Sequence, residues 1–206
     1  MPNYKLIYFN AKGRAEFARL LFAQAGVAYE DHRIEGANWP ALKPTMPTEA
    51  LPVLEVDGKR IVQSQAIARY VARECNLAGD NNLEMAQGEQ VMETMMDMAT
   101  DIGPVFQEKD EAKRKAALQK SIFEEKIKTK LKYIENFLVA NGGEFFAGKR
   151  IMIADIAIIL NFEHLCSFLS LDDPYKDFPK LAAHKDKVFK EPKIAAWIAK
   201  RPETKM

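Results

Sequence analysis

Strand-like sequence lies within the first eighty residues of this 206-residue chain, and the remainder has the periodicity and propensity of helix. Tyr4–Phe9 is β-branched and aromatic, which predicts a buried strand, and residues 29–34 form a weaker candidate. Val53–Val56 and Lys59–Val62 flank Asp57-Gly58, a two-residue turn in which both positions favour φ > 0. This pattern predicts a β-hairpin.

Helices are predicted around these strands. Residues 14–25 carry apolar side chains at helical spacing and stop at Gly26, which suits a helix C-cap. Ser64 stands where an N-cap belongs, ahead of a helix over residues 65–74. The element order is therefore β-α-β, a proline-rich loop and β-β-α, which suits a four-stranded mixed sheet with helices packed on it.

The sequence pattern after residue 79 predicts an all-α domain. Residues 76–82 are polar and rich in turn formers, so we expect one domain over residues 1–79 and another over residues 80–206. Gly103-Pro104 should end or bend the first helix of this part. Period and propensity favour helix over residues 83–106, 111–140, 154–171, 181–189 and 194–200.

Charge and hydropathy exclude several classes of partner. The 30 basic and 29 acidic side chains give a net charge of +1, which argues against nucleic acid or an anionic membrane as the main partner. No apolar run approaches the ~18 residues of a membrane span. The N-terminus lacks the basic start and long apolar stretch of a signal peptide. We therefore expect a cytoplasmic globular protein.

The sequence carries no motif typical of a metal site or of the common hydrolases. Cys75 and Cys166 make neither a disulfide framework nor a metal cluster, and the three histidines are too far apart for a metal motif. Neither a phosphate-loop glycine signature nor Gly-x-Ser-x-Gly occurs. We expect no metal.

Tyr8 and Arg14 are the first candidates for chemistry. Tyr8 lies near the C-terminal end of the first strand, just before a turn, where α/β sheets place functional groups. A core or cross-strand tyrosine is the structural alternative. Arg14 begins the next helix, where a cation opposes the helix dipole. A salt bridge, a ligand or a role in lowering a neighbouring pKa would each explain it.

Two dipeptides can present main-chain groups to a ligand. A proline before a buried strand is often cis, so Leu51-Pro52 would leave main-chain groups open to a peptide-like molecule, although a tight turn explains it equally well. Gln63-Ser64 at a helix start offers N–H groups and a hydroxyl to a carboxylate, or is a plain N-cap.

Trp39 and Lys43, on the proline-rich loop, offer an indole N–H and an ammonium to a second carboxylate. Solvation or local packing is the alternative for both side chains. Taken together, these candidates predict one pocket for a small extended molecule with carboxylates at its ends and a peptide-like middle.

Several runs of residues resemble a known family. The start, Tyr4 to Asn10 with Gly13-Arg14-Ala15-Glu16, is similar to that of cytosolic glutathione S-transferases. The same is true of residues 39–40, 51–58 and 63–70. Within the family the chain most resembles the sigma class, which includes haematopoietic-type prostaglandin D synthases and lens S-crystallins. The resemblance covers nearly the whole chain and is densest in the first domain.

The resemblance implies a thioredoxin-like first domain and glutathione as co-substrate. Tyr8 would hydrogen-bond the glutathione sulfur, and Arg14 would support the thiolate electrostatically. A free thiol of pKa ~8.5 is mostly protonated at neutral pH, and a hydroxyl donor with a nearby cation favours the anion. Lowering that pKa by two units takes about 2.7 kcal/mol.

The family's contacts to the glycine and cysteinyl parts of glutathione fall on four further residues. Trp39 and Lys43 would hold the glycine carboxylate. The Leu51 main chain, before a cis Pro52, would pair with the cysteinyl unit.

The γ-glutamyl end of glutathione would bind Gln63 and Ser64. By the same resemblance, Asp97 of the partner subunit would assist them across the interface of a homodimer.

The second substrate of the family binds between the two domains, and the resemblance places Phe9, Gly13, Met98 and Pro104 there. The prostaglandin synthases typically have tryptophan where this chain has Pro104, so conjugation of small hydrophobic electrophiles is the leading expectation. A glutathione-dependent prostaglandin D synthase is one alternative. A catalytically weak S-crystallin-like structural or ligand-carrier protein is another.

One departure from the family concerns stability. The family usually has Ser or Thr three residues before an Asp that begins a buried helix, and here Met152 precedes Asp155. A missing N-cap hydroxyl costs about 0.5–2 kcal/mol, so the sequence predicts that Met152→Thr stabilises the protein.

Overall fold

The structure, a computed structural model, describes the backbone of residues 2–204 and the side chains of all of these except 119 and 120. The chain forms two compact units. One unit contains residues 2–78 together with 190–204, and the other contains residues 79–189.

The first unit is built on the predicted four-stranded mixed sheet, and that prediction is confirmed. The strands are β1 (Tyr4–Phe9), β2 (Glu30–Ile34), β3 (Val53–Val56) and β4 (Lys59–Val62). Their spatial order is β2-β1-β3-β4, with β1 and β2 parallel and the other two pairs antiparallel. The β3–β4 turn is the predicted one, since Asp57 and Gly58 have φ of 48° and 80°.

Three helices follow these strands in the first part of the chain. They are α1 (Glu16–Ala25), the short α2 (Trp39–Leu42) and α3 (Ser64–Glu74). Gly26 caps α1 in the left-handed conformation predicted for it. Helices α1 and α3 pack on each other, and α3 also packs on β3 and β4.

Alternation along β1 assigns its side chains to the two faces of the sheet. The Tyr4 ring lies 5.2 Å from the Phe22 ring of α1, which places Tyr4, Leu6 and Tyr8 on the α1 face. Ile7 belongs to a cluster with Val53 on the opposite face. Tyr8, one residue before the end of β1, therefore lies on the α1 face of the sheet.

The second unit contains five α-helices, and no strand occurs among the described residues of this unit. Asn81 caps the first of them by accepting hydrogen bonds from the Leu83 and Glu84 N–H groups. That helix ends at Ile102, immediately before the predicted break at Gly103-Pro104. The helices are α4 (Asn82–Ile102), α5 (Glu111–Ala117), α6 (Lys128–Ala140), α7 (Ile153–Leu169) and α8 (Pro179–Phe189).

The segment between α5 and α6 differs in winding from the α-helix that its period suggests. Leu118–Ile127 is a π-helix. Among its described side chains, the buried ones, Leu118, Ile122, Phe123 and Ile127, include pairs four and five residues apart. Winding with i→i+5 hydrogen bonds keeps such positions on one face, which an α-helix would not do.

Helix α9 (Pro192–Lys200) lies in the first unit. The helical domain that the sequence predicts over residues 80–206 stays a prediction, while by its contacts the described part of the chain from 190 onward belongs to the first unit. The reason is its packing, because α9 lies against α1. The indole N–H of Trp197 also donates to Glu16 Oε1 at 2.8 Å.

Among the described residues, no helix combines the length and the apolar composition needed to cross a bilayer.

Candidate functional site

Tyr8 carries the central hydroxyl group of the candidate site. It is half-buried at the end of β1, and its hydroxyl oxygen accepts a hydrogen bond from the main-chain N–H of Arg14 at 3.2 Å. A phenol has one proton to donate and two lone pairs to accept with. The accepted bond therefore leaves the Tyr8 proton available for donation to a ligand.

Gly13 allows the turn before α1 to come close to the Tyr8 hydroxyl. Its φ is +39°, a conformation that side-chain-bearing residues rarely adopt. Gly13, Arg14 and Ala15 form a short 3-10 turn before α1. The place of Gly13 in the hydrophobic substrate site stays a prediction, and in the structure Gly13 lies beside the Tyr8 hydroxyl.

The Arg14 side chain is exposed. The contact of Arg14 with Tyr8 is made by its main-chain N–H. A second arginine lies closer to the Tyr8 ring. The Cζ atom of the fully buried Arg19 is 5.9 Å from the ring centroid. Sequence reasoning missed Arg19, since a single arginine within an amphipathic helix carries no signal of burial.

Trp39 and Phe9 lie on the other face of the sheet. Their rings meet edge to face with centroids 5.3 Å apart. Trp39 also packs on the buried cluster that includes Ile7 and Val53. These contacts fix the indole at the start of α2 while leaving it half-buried.

Lys43 and Leu51 belong to the loop between α2 and β3. The Lys43 ammonium is exposed and lies 3.8 Å from the Glu49 carboxylate, a surface pair that holds the side chain only weakly. The Leu51-Pro52 peptide bond is cis, as expected, and Pro52 is buried next to β3.

Gln63 and Ser64 form the start of α3, with one correction. Ser64 was predicted as the N-cap, but it is the first helical residue and Gln63 is the N-cap. The reason is the Gln63 backbone, whose φ of 72° and ψ of 113° turn the chain into the helix one residue earlier. A non-glycine residue in this region stores strain, which in proteins concentrates at ligand-binding positions.

The candidates in the second unit have different environments. Asp97 is exposed on α4, and Pro104 is exposed in the 3-10 turn (Gly103–Gln107) that follows. Met98 is 1% exposed, and its sulfur accepts from the Asn161 amide at 3.6 Å. Met98 thus packs in the core of this unit, and its place in the hydrophobic substrate site stays a prediction.

An exposed aromatic pair near Pro104 was not singled out from the sequence. The Phe106 and Phe168 rings lie 5.6 Å apart, edge to face, and both side chains are exposed. Their separation in sequence hides the pairing.

Comparison with known families accounts for both halves of the chain. The description "Glutathione S-transferase, N-terminal domain" matches residues 4–73. The corresponding C-terminal domain matches residues 96–201.

Characterised relatives are similar along their whole length. The hematopoietic prostaglandin D synthase of Gallus gallus is 44% identical, and the alignment covers 99% of each chain. S-crystallin SL11 of Nototodarus sloanii is 40% identical, again over 99% of each chain.

Solved structures give the same result. The glutathione S-transferase of Ascaris lumbricoides superposes with a TM-score of 0.89 at 36% identity, over 98% of this chain and 99% of that one. The Na-GST-3 transferase of Necator americanus, described as monomeric, gives 0.88 at 33% identity, over 99% and 100%. Matched in both domains and along its full length, this chain belongs to the glutathione S-transferase family.

Proposed function

We propose that this protein conjugates glutathione to small hydrophobic electrophiles, with the Tyr8 hydroxyl stabilising the glutathione thiolate. The observation that carries the proposal is the hydrogen bond from the Arg14 N–H to the Tyr8 oxygen. A hydroxyl that accepts a bond on its oxygen donates its own proton more strongly, because hydrogen bonds in a chain polarise one another.

The chemical step follows from thiol acidity. Glutathione in water carries a thiol of pKa about 8.5, and the thiolate is the nucleophile. Donation from Tyr8 to the sulfur stabilises the anion more than the thiol, so the pKa of the bound thiol falls. The thiolate then attacks the electrophilic carbon, the new C–S bond forms, and the leaving group departs with its electron pair.

Binding of the tripeptide is assigned to residues on separate elements of the first unit. Trp39 and Lys43 would hold the glycine carboxylate, and the Leu51 main chain before Pro52 would pair with the cysteinyl amide. The placement of Trp39 by packing, and the exposure of the Lys43 ammonium, support these roles.

The γ-glutamyl end is assigned to Gln63 and Ser64 at the start of α3. Helix N-termini favour carboxylates, and the strained Gln63 backbone supports a binding role at this point. Arg14, whose guanidinium is exposed, would add positive charge near the sulfur.

The assembly state is part of the proposal. Asp97, exposed on α4, would reach the γ-glutamyl group of the partner's glutathione in a homodimer. The monomeric Necator americanus relative makes a direct measurement necessary, and light scattering after size exclusion decides between the two states. The proposal also includes a cytoplasmic location, from the resemblance to cytosolic transferases.

Phe9 and Pro104 are the positions that we assign to the hydrophobic substrate, as half-buried and exposed side chains respectively. Conjugation of a generic aromatic electrophile, run beside prostaglandin H₂ isomerisation, separates the two enzymatic activities. The 44% identity to a hematopoietic prostaglandin D synthase is the reason to include the second assay. Glutathione binding without either activity would favour a structural or carrier protein.

The deciding variant is Tyr8→Phe. Since each pKa unit corresponds to about a tenfold change in thiolate fraction, we expect kcat to fall about 10–100-fold while the glutathione Kd stays nearly unchanged. Tyr133→Phe, on α6 and 52% exposed, is the matched control and should behave as the wild type. A Tyr8→Phe enzyme with wild-type kcat would disprove the role of the hydroxyl.

A further inference from the structure

Arg19 of α1 is a cation with no exposed surface. Its Nε donates to Asp31 Oδ1 at 3.0 Å, and its Nη1 lies 3.2 Å from Glu16 Oε2. Burying a guanidinium is expensive unless carboxylates and further hydrogen bonds surround it. A side chain held in this way has one orientation, and its other contacts are fixed with it.

Those other contacts are with the turn before α1. Arg19 Nη1 donates to the Ala11 carbonyl at 2.7 Å and lies 3.3 Å from the Lys12 carbonyl. Both carbonyls immediately precede Gly13 and Arg14. Arg19 therefore binds the backbone of the turn in which the Arg14 N–H donates to the Tyr8 hydroxyl.

The same arginine lies beside Tyr8 itself. Its Cζ is 5.9 Å from the centre of the Tyr8 ring. Arg19 therefore contacts both the turn before α1 and the Tyr8 ring. A small movement of Arg19 would shift the Arg14 N–H relative to the Tyr8 oxygen, a bond already at 3.2 Å.

Glu16 connects Arg19 with Trp197 of α9 and with Arg201, the residue that follows α9. Its Oε1 accepts from the Trp197 indole at 2.8 Å and from Arg201 at 3.0 Å, while its Oε2 faces Arg19. The Glu16 side chain is itself fully buried. Because one carboxylate joins all three donors, the orientation of Arg19 depends on α9 being seated on α1.

We propose that Arg19 is a positioning residue that keeps the Arg14 N–H on the Tyr8 hydroxyl, and that α9 holds Arg19 in place through Trp197 and Glu16. Arg19 touches neither glutathione nor the electrophile in this account. It acts through the turn at residues 11–14, and its effect therefore requires the Tyr8 hydroxyl. The inference rests on the proposed function of Tyr8.

The test is a double-mutant cycle between Arg19→Lys and Tyr8→Phe. Lysine keeps the charge but cannot reach two carboxylates and two carbonyls at once. We expect Arg19→Lys to lower kcat about tenfold, which corresponds to about 1.4 kcal/mol, with little change in the glutathione KM. In the Tyr8→Phe background the same substitution should have almost no further effect.

A second readout follows the bound thiol itself. The ultraviolet absorbance of the thiolate, titrated in the glutathione complex, should show a pKa raised towards the value of the free thiol in Arg19→Lys. Arg60→Lys is the matched control, because Arg60 also binds a carboxylate, Glu55, and a carbonyl, Thr45, in the same unit. We expect it to retain the wild-type kcat and thiol pKa.

Trp197→Phe keeps the test decisive if Arg19→Lys does not fold. It removes the indole donor to Glu16 and leaves a smaller aromatic ring at a half-buried position, and we expect a two- to fivefold fall in kcat that again disappears in the Tyr8→Phe background. Additive effects of Arg19→Lys or Trp197→Phe with Tyr8→Phe, or an unchanged thiol pKa, would overturn the inference alone. A wild-type protein without conjugation, or Tyr8→Phe at full rate, would instead overturn the proposed function and this inference with it.

Discussion

A Cβ atom on Gly13 would lie 2.6 Å from the hydroxyl oxygen of Tyr8. That distance is shorter than any normal carbon–oxygen contact, so only glycine allows the turn to approach the phenol this closely. Gly13 also adopts a φ of +39°, where other residues are strained. The backbone conformation of Gly13 and the position of the Tyr8 hydroxyl therefore depend on each other.

Gly13→Ala should displace the Tyr8 hydroxyl. We expect kcat for conjugation to fall at least tenfold, and the free energy of unfolding to fall by about 1–2 kcal/mol from backbone strain. Steady-state kinetics and denaturant unfolding measure the two effects. Gly36→Ala is the control, since a Cβ at Gly36 meets nothing within 4 Å, and it should change kcat by less than twofold. Equal activity of the two variants would contradict the steric argument.

Gln63, at the start of α3, has a strained backbone conformation. We expect Gln63→Gly to raise the free energy of unfolding by about 0.5–2 kcal/mol, because glycine relieves the φ of 72° even after its own entropy cost. The same variant should bind glutathione more weakly, since the side chain is lost. Thermal unfolding and titration calorimetry measure the pair of effects. Gln63→Ala, which keeps the strain, should weaken binding without stabilising; if it stabilises as much as glycine, the strain argument fails.

Local features of the fold were predictable because each depends on neighbours in sequence. The hairpin at Asp57-Gly58, the Gly26 cap and the end of α4 before Gly103 follow from backbone preferences of single residues. The position of Tyr8 near the C-terminal end of β1 follows from the β-branched and aromatic run in the same way.

Long-range contacts were not predictable from pattern. Glu16 and Trp197 are 181 residues apart, and nothing in the periodicity of either helix indicates that one carboxylate joins them. The placement of α9 in the first unit depends on this contact and on packing against α1. The burial of Met98 was not predictable for a related reason, since helical period gives a face but not which neighbour covers it.

Met152 illustrates how burial reverses an expectation based on sequence. Asp155 accepts from the Met152 N–H at 2.8 Å, so half of a capping interaction is present. The Met152 side chain, however, is only 2% exposed. A threonine hydroxyl would add about 0.5–2 kcal/mol, whereas large-to-small substitution of a buried methionine costs about 2–5 kcal/mol.

We therefore expect Met152→Thr to lower the free energy of unfolding by about 1–3 kcal/mol. A chain of this size loses roughly 2–4 °C in Tm for each kcal/mol, which calorimetry resolves. Met152→Leu, which keeps the volume, should stay within about 1.5 kcal/mol of the wild type. A higher Tm for Met152→Thr would restore the original expectation.

Asp101 gives the second unit a stability that depends on pH. The hydrogen bond from Lys130, helped by Lys126 at 3.2 Å, holds the pKa of this carboxyl below its ordinary value. A carboxyl whose folded pKa is depressed stabilises the fold above its unfolded pKa of about 3.9, and this contribution disappears as pH falls through the folded value.

Asp101→Asn should therefore lower the free energy of unfolding at pH 7 by about 1 kcal/mol or less, because all three charged groups are partly exposed. The difference from the wild type should shrink below about pH 4 and should also be smaller in 1 M salt, where charges are screened beyond roughly 3 Å. Denaturant midpoints measured across pH test this, with Asp172→Asn as the control at an exposed position. A difference between Asp101→Asn and the wild type that stays constant from pH 7 to pH 3 would mean that the two lysines contribute packing and not charge.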